Sequence, residues 1–292
     1  IYYATLYFKL EIMDYQKLTP EIGAIINDID LNNNLNENAY NKIYEILIEN
    51  LVIVFKKTNI TNQNHINFSK NFGNLDEPHH VYPHVKDYKN IVLLENDENN
   101  PPDTNSWHTD LTFKINQPFA SVLVARAVPD IGGDTLWSSC YAAYNRLPND
   151  MKKYLENLKV IHDFGDFRNS LAKNTSDEEA IELLNENVHK FGHNIRPIIG
   201  IHPITKKKYL NFNESFSSYI IGLTVNESNS LKTFLTNHMN KPEDQMRWKW
   251  STGDMVMWDN RVTMHYAVSD YMPNYRCMNR ITVVNDIRAN KN

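Results

Sequence analysis

Cysteine is scarce in this chain. The 292 residues contain two cysteines, Cys140 and Cys277, which are too few for a disulfide framework. Because cytoplasmic proteins keep their thiols reduced, this scarcity favours a cytoplasmic location.

Long apolar runs and an excess of positive charge are lacking too. No uninterrupted apolar run approaches the roughly 20 residues of a transmembrane helix, so a membrane partner is not expected. The net charge is −5 and the pI is about 6.1, whereas a nucleic-acid-binding protein normally carries a basic surface. A nucleic-acid partner is therefore not expected either. The hydrophobic fraction of 41% is ordinary for a globular protein with one large core.

The chain divides at Met13. Residues 1–12 form the run IYYATLYFKLEI, which Lys9 and Glu11 interrupt and which is too short for a secretory signal. We interpret this run as an upstream extension or an expression remnant. The length of the remainder predicts a single domain over 13–292.

A histidine and an aspartate stand two residues apart in the sequence SWHTDLTF. We expect an extended strand or its end here, so His108 and Asp110 leave the same face, with Cα atoms about 6.6 Å apart. One imidazole and one carboxylate are half of a 2-His-1-carboxylate site, which leaves coordination positions open on Fe(II). The step alone is weak evidence, because His-x-Asp arises often by chance.

A second histidine and two arginines follow near the end of the chain. His265 lies in another stretch that is typical of a strand, and an extended segment would place Arg276, Met278 and Arg280 on one face. Inward arginines are costly unless each meets an anion. The pattern therefore favours a site that binds two acids beside a metal, and surface salt bridges are the alternative for both arginines.

Long motifs make the chain similar to the taurine dioxygenase family of Fe(II)- and 2-oxoglutarate-dependent oxygenases. The resemblance extends from about Leu18 to about Asp286 and is carried by LTPEIGAIINDIDL, FSKNFGNL, VYPH, NPPDTNSWHTDLTF, GGDTLWSS, NES and RWKWSTGDMVMWDNRVTMHYAVSDY. It implies a mainly β fold with surrounding helices, built on a double-stranded β-helix (jelly-roll) core. It also implies His108, Asp110 and His265 as the Fe(II) ligands.

The resemblance assigns two residues to the cosubstrate 2-oxoglutarate. Thr135 follows the turn Ile131-Gly132-Gly133-Asp134, and its hydroxyl is implied to bind a carboxylate of 2-oxoglutarate. From the residues alone, Thr135 is an ordinary strand residue. Arg276 is implied to bind the distal carboxylate.

The substrate residues are also implied by the resemblance. His79 and Tyr82 can donate hydrogen bonds to a sulfonate oxygen, and Arg280 is implied to bind the same group. Thr104 stands where the family has Asn, which leaves the exact substrate open. Phe164 and Phe216 are candidate apolar walls, or else ordinary core aromatics.

The implied reaction consumes 2-oxoglutarate and O2 and forms succinate and CO2. The carbon next to the sulfonate of taurine is hydroxylated, and the product releases sulfite and aminoacetaldehyde. The alternatives are another alkanesulfonate or an alkyl sulfate ester, a non-catalytic jelly-roll that binds metal or 2-oxoglutarate as a sensor, and a zinc hydrolase. The family resemblance also implies a homodimer or homotetramer.

Hydrophobic periodicity predicts the following elements. Strands are expected at 22–31 and 51–55, and helices at 36–50, from Thr61 to about 72, and at 141–147, 151–158, 177–190 and 228–240. Ser176 or Asp177 can cap the helix at 177–190. The stretch 163–196 is polar and lies between barrel strands, and we interpret it as a lid over the site.

Overall fold

The computed structural model describes residues 13–79, 82–102, 106–165 and 176–289. Its α-helices are α1 Glu37–Asn50, α2 Asn62–Lys70, α3 Cys140–Arg146, α4 Asn149–Glu156, α5 Asp177–Phe191 and α6 Val225–Met239. Its strands are β1 Tyr15–Lys17, β2 Ala24–Ile26, β3 Val52–Phe55, β4 His84–Val85, β5 Tyr88–Asn96, β6 Ala120–Ala127, β7 Thr135–Ser139, β8 Lys159–His162, β9 Asn194–Pro197, β10 Ile199–Ile201, β11 Lys208–Leu210, β12 Ser217–Ile220, β13 Gln245–Trp248, β14 Met255–Asp259, β15 Thr263–Ala267 and β16 Arg276–Val283.

One large sheet dominates the fold. Its eight strands run in the order β1-β2-β3-β14-β6-β16-β5-β4, and the pairs are antiparallel except β2 with β3. A three-stranded sheet, β13-β7-β15, contributes residues to the same cavity as β5 and β16 of the large sheet. The two sheets therefore face each other. Strands β12-β8-β9 form a further sheet, and β10 pairs with β11.

Both faces of the large sheet are covered. On the inner face, Trp258 of β14 and Met278 of β16 pack with Trp137 of β7 in the largest core cluster. On the outer face, a second cluster joins the sheet to α1 and α2 through residues such as Ile43 and Phe68. Strands buried on both faces are apolar throughout, which explains the run at β3, where all four residues are buried.

Most helix predictions are confirmed to within a few residues. Asn36 caps α1 and Thr61 caps α2, each by accepting the backbone N–H three residues ahead. Ser176 and Glu179 form a capping box at the start of α5. The last helix begins at Val225 instead of 228, because Thr224 caps it with Glu227.

Two strand predictions are wrong. The strand expected at 22–31 shrinks to β2, because Asp28 has a φ of 51° and the backbone leaves the extended region there. The segment around His108 is not a strand either. His108 forms one isolated bridge with His265, Asp110 lies in a turn, and Leu111 has a φ of 54°.

The helices offer no candidate for a membrane span. Among the described residues, none is both long enough and apolar enough to cross a bilayer.

Candidate active site

The side chains of His108, Asp110 and His265 converge. His108 Nε2 and His265 Nε2 each lie 3.8 Å from Asp110 Oδ1, and the three ligand atoms all lie within 4.8 Å of one another. In the described part of the chain, this is the one group of three or more His, Cys, Asp or Glu that could hold a metal ion. The isolated bridge brings the two histidines together, with His265 N–H donating to the His108 carbonyl at 2.8 Å.

Hydrogen bonding orients one of the two imidazoles, and burial keeps the other neutral. His108 Nδ1 lies 2.9 Å from the carbonyl of Ser106, so this nitrogen donates its proton and leaves the Nε2 lone pair for a metal. Burial, with His108 and Arg280 acting in the same direction and Asp110 against them, lowers the pKa of His265 to about 3. His265 is therefore uncharged at neutral pH.

The Asp110 carboxylate is ionised although it is buried. Burial acts to raise its pKa, but the Arg280 guanidinium, followed by His265 and His108, holds the pKa well below its usual range. Arg280 Nη1 donates to Oδ1 at 3.2 Å, and Ser121 Oγ donates to Oδ2 at 2.9 Å. One carboxylate and two imidazoles that converge in this way fit a divalent first-row metal such as Fe(II).

The histidines open onto a cavity of about 400 Å³ between the two facing sheets. Its lining includes most of the polar residues predicted for the site, namely Tyr82, His108, Thr135, His265, Arg276 and Arg280. Among the described lining residues, the two arginines are the cations and the exposed Glu95 is the one carboxylate. The polar interior therefore favours anions.

Thr135 has a partner that the sequence did not predict. Trp250 Nε1 donates to Thr135 Oγ1 at 2.9 Å, and both residues are buried. An indole N–H can only donate, so the Thr135 hydroxyl accepts here and keeps its own proton for another acceptor. Trp250 therefore sets the direction in which Thr135 can donate.

Arg276 is held at the same end of the cavity. Its Nε donates to the Gly133 carbonyl at 3.1 Å, and its guanidinium lies 5.7 Å from the ring centre of Tyr271. Gly133 has a φ of 72°, and a Cβ built there would meet Arg276 Cδ and Nε at 3.1 Å. The absence of a side chain at Gly133 therefore leaves space for the Arg276 side chain.

Arg280 lies next to the metal ligands. It is buried and lines the cavity, one Nη group is bound to Asp110, and its Nε is buried without a hydrogen-bond partner among the described residues. Both arginines point into the cavity from β16, as the alternation predicted. The alternative of surface salt bridges is wrong, because both side chains are buried.

The other predicted substrate residues are distributed unevenly. Tyr82 lines the cavity, and His79 packs against it, with ring centres 5.0 Å apart, without lining the cavity itself. Phe164 and Phe216 lie outside the lining, in a cluster with Phe113. The rings of Phe216 and His108 are nearly perpendicular, with centres 6.4 Å apart. Thr104 falls outside the described residues.

The chain is similar to several known proteins along most of its length. The sequence model of the "Taurine catabolism dioxygenase TauD, TfdA family" matches residues 14–282. An alkylsulfatase of Acinetobacter baylyi is 32% identical over 280 residues, covering 94% of this chain and 86% of that protein. An alpha-ketoglutarate-dependent (2-oxoglutarate-dependent) sulfate ester dioxygenase of Pseudomonas putida is 31% identical over 282 residues, covering 94% and 90%.

A solved structure has the same fold. The crystal structure of a taurine dioxygenase from Burkholderia xenovorans superposes with a TM-score of 0.79 at 28% identity, covering 94% of this chain and 90% of that one. This match confirms the predicted jelly-roll core. The chain therefore belongs to the taurine catabolism dioxygenase TauD, TfdA family and is a 2-oxoglutarate-dependent dioxygenase.

Proposed function

We propose that this chain hydroxylates the carbon that carries the sulfonate of an alkanesulfonate, taurine first among them, or the carbon bonded to the ester oxygen of an alkyl sulfate ester. The observation that carries the proposal is the meeting of His108, Asp110 and His265 at a cavity that also contains two buried arginines. Such a site can hold a metal, a 2-oxo acid and a second anion together.

His108 Nε2, His265 Nε2 and the Asp110 carboxylate would hold Fe(II). When bound, iron supplies the oxidation, which consumes O2 and 2-oxoglutarate, forms succinate and CO2, and hydroxylates the substrate. The protein contributes the fixed directions of the three ligands. It also supplies a neutral His265 imidazole and an ionised Asp110 carboxylate, so neither of these two ligands has to lose a proton before metal binds.

Arg276 and Thr135 would bind 2-oxoglutarate. A guanidinium offers a planar pair of donors that matches a carboxylate, and Arg276 is already oriented by Gly133. The Thr135 proton is free to point at a second acceptor, because Trp250 occupies the other side of the hydroxyl. Both groups therefore face the anion before it arrives.

Arg280 would bind the sulfo group of the substrate, with Tyr82, His79 and Thr104 as further polar partners. Its position beside Asp110 would bring the carbon next to that group close to the metal ligands. Phe216 and Phe164 pack behind His108, outside the cavity lining, and would border the apolar part of the substrate from there. The tail of the substrate is weakly specified, because each buried CH2 contributes only about 0.8 kcal/mol.

Product analysis separates the two substrate classes. The Fe(II) protein would be mixed anaerobically with 2-oxoglutarate and either taurine or a medium-chain alkyl sulfate, O2 admitted, and succinate, sulfite and sulfate measured. A sulfonate substrate predicts sulfite equal to succinate, and a sulfate ester predicts sulfate equal to succinate. His265→Ala should abolish the formation of succinate and of the sulfur product. His238→Ala, which replaces a half-buried histidine of α6 outside the cavity lining, should retain the formation of both.

Other outcomes would contradict the proposal. If neither taurine nor the alkyl sulfate stimulates the formation of succinate, sulfonates and sulfate esters are excluded as substrates. A protein that binds 2-oxoglutarate with iron and never forms succinate would be a sensor. Turnover that persists without iron and O2 would indicate a zinc hydrolase. The homodimer or homotetramer that the resemblance implies stays a prediction.

A further inference from the structure

Asp110 is not held by a β-ladder. The neighbouring bridge ends at His108, and Asp110 itself lies in a turn that continues into the left-handed Leu111. A metal ligand in a turn needs other contacts to fix its direction, and the sequence pattern offers none nearby.

Asn260 supplies the contacts that a neighbouring strand would make. The Asp110 N–H donates to Asn260 Oδ1 at 2.9 Å, and Asn260 Nδ2 donates back to the Asp110 carbonyl at 3.0 Å. The same Nδ2 also donates to the Pro118 carbonyl at 3.2 Å. A side-chain amide carries the same donor and acceptor as a peptide group, so Asn260 pairs with the Asp110 backbone as an adjacent strand would.

Asn260 is itself firmly placed. It is fully buried, and its backbone N–H donates to the Phe119 carbonyl at 2.8 Å. It lies between β14 and β15, and β15 carries His265. One residue therefore ties the backbone of Asp110 to the strand of the second histidine ligand.

Ser121 fixes the other end of the Asp110 side chain. Its Oγ, fully buried on β6, donates to Asp110 Oδ2 at 2.9 Å. Oδ1 is the atom that lies 3.8 Å from Nε2 of both histidines. Holding Oδ2 thus prevents rotation of the carboxylate and keeps Oδ1 directed at the other ligands.

We propose that Asn260 and Ser121 are positioning residues for metal binding, which aim Asp110 Oδ1 at the point between His108 Nε2 and His265 Nε2. The proposal rests on the proposed function through the role of Asp110 as a ligand. Neither residue contacts the cavity, so neither belongs to the substrate or cosubstrate contacts.

Metal affinity tests this directly and needs no turnover. Mn(II) would be titrated into the metal-free protein and followed by electron paramagnetic resonance. Because the hydrogen-bond partners of metal ligands contribute about 10- to 100-fold to affinity, Asn260→Ala and Ser121→Ala should each weaken Mn(II) binding by that factor. The spectrum of the bound ion should also change, since the carboxylate can rotate.

Two matched controls separate positioning from a general loss of stability. Asn50→Ala removes a buried asparagine whose amide donates to the Ile46 carbonyl at the end of α1. Ser138→Ala removes a buried strand serine whose hydroxyl donates to the Met239 carbonyl. Both should lower the melting temperature as much as the test variants do, with Mn(II) affinity and spectrum unchanged.

The outcomes are distinguishable. Ser121→Ala removes a single hydroxyl and is expected to fold. If this variant binds Mn(II) with unchanged affinity and spectrum, the inference is overturned and the metal site stands. Equal losses of Mn(II) affinity in Asn50→Ala and Ser138→Ala would overturn the inference as well. If the unaltered protein binds neither Mn(II) nor Fe(II), the proposed function and this inference both fall.

Discussion

At the residue scale, the direction of one hydroxyl proton bears on how the cavity binds an anion. Thr135 accepts from Trp250, and its own proton is thereby left for another acceptor, which we propose is 2-oxoglutarate. A threonine without the indole could turn its proton elsewhere. Trp250 orients the Thr135 hydroxyl. Its loss should therefore affect the binding of 2-oxoglutarate and not the binding of the sulfo substrate.

We predict that Trp250→Phe raises the KM for 2-oxoglutarate with little change in the KM for the sulfo substrate. A hydrogen bond of this kind contributes about 0.5–1.5 kcal/mol, which corresponds to roughly a 2- to 12-fold change in KM. Steady-state kinetics with each substrate varied in turn would measure the split. Trp248→Phe is the matched control, because its indole donates to Asp254 Oδ2, outside the cavity lining. Parallel rises of both KM values in Trp250→Phe would argue for a merely structural role.

At the scale of single elements, the turn between β6 and β7 determines where Arg276 lies. Gly133 sits at a φ of 72° with the Arg276 side chain against it, and its N–H donates to Asp270 Oδ1 at 2.8 Å. A side chain at this position would push the Arg276 guanidinium out of line with the carboxylate of 2-oxoglutarate that we propose it binds.

Gly133→Ala is therefore expected to raise the KM for 2-oxoglutarate by at least about 10-fold, because a charge-assisted hydrogen bond contributes about 1.5–3 kcal/mol. Gly222→Ala provides the control. Gly222 has a φ of 89°, so alanine introduces similar backbone strain there, but no atom lies within 4 Å of the added Cβ. If both variants lose affinity for 2-oxoglutarate equally, strain and not the displacement of Arg276 is responsible.

The polar insertion at 163–196 stays a predicted lid. Its described helix, α5, packs Leu183 and Leu184 onto the cluster of Phe113, Phe164 and Phe216 beside His108. We expect cleavage by a protease within 176–196 to slow when 2-oxoglutarate and substrate are added together with a metal. A cleavage rate that does not change with any of these additions would count against the lid.

At the scale of the whole molecule, buried neutral histidines make the fold sensitive to acid. Burial, reinforced by Arg126, lowers the pKa of His65 to about 3, and burial with Arg196 does the same for His162. Below about pH 6.5 the unfolded chain binds these protons and the folded chain does not. Stability should therefore be full above about pH 6.5 and fall as the pH drops toward 3.

Denaturant unfolding of the metal-free protein between about pH 7 and pH 5 would measure this effect. Each of the two histidines should lower the free energy of unfolding by up to about 1.4 kcal/mol per pH unit as the pH falls. His65→Gln and His162→Gln should each abolish the part of this slope that comes from the replaced histidine. His189→Gln replaces an exposed histidine of α5 and should leave the slope as it was. An unchanged slope in both buried variants would refute the assignment.

The sequence predicted the fold where local pattern and burial agree. The apolar run at β3 and the helix starts at Thr61 and Ser176 are local features, and the structure has them. Convergence of His108 and Asp110 was expected from a strand that does not exist. The contacts that orient Asp110 come from Asn260, which is 150 positions further along the chain. A local sequence pattern cannot predict a contact between residues so far apart.

We propose that the site of His108, Asp110 and His265 catalyses a dioxygenase reaction that depends on 2-oxoglutarate. The most direct measurement is turnover under O2 labelled with the heavy oxygen isotope, followed by mass spectrometry of the succinate. One labelled oxygen atom per succinate is predicted, with the label absent from incubations of Asp110→Ala. Succinate that carries no label would contradict the account, because its new carboxylate oxygen would then not derive from O2.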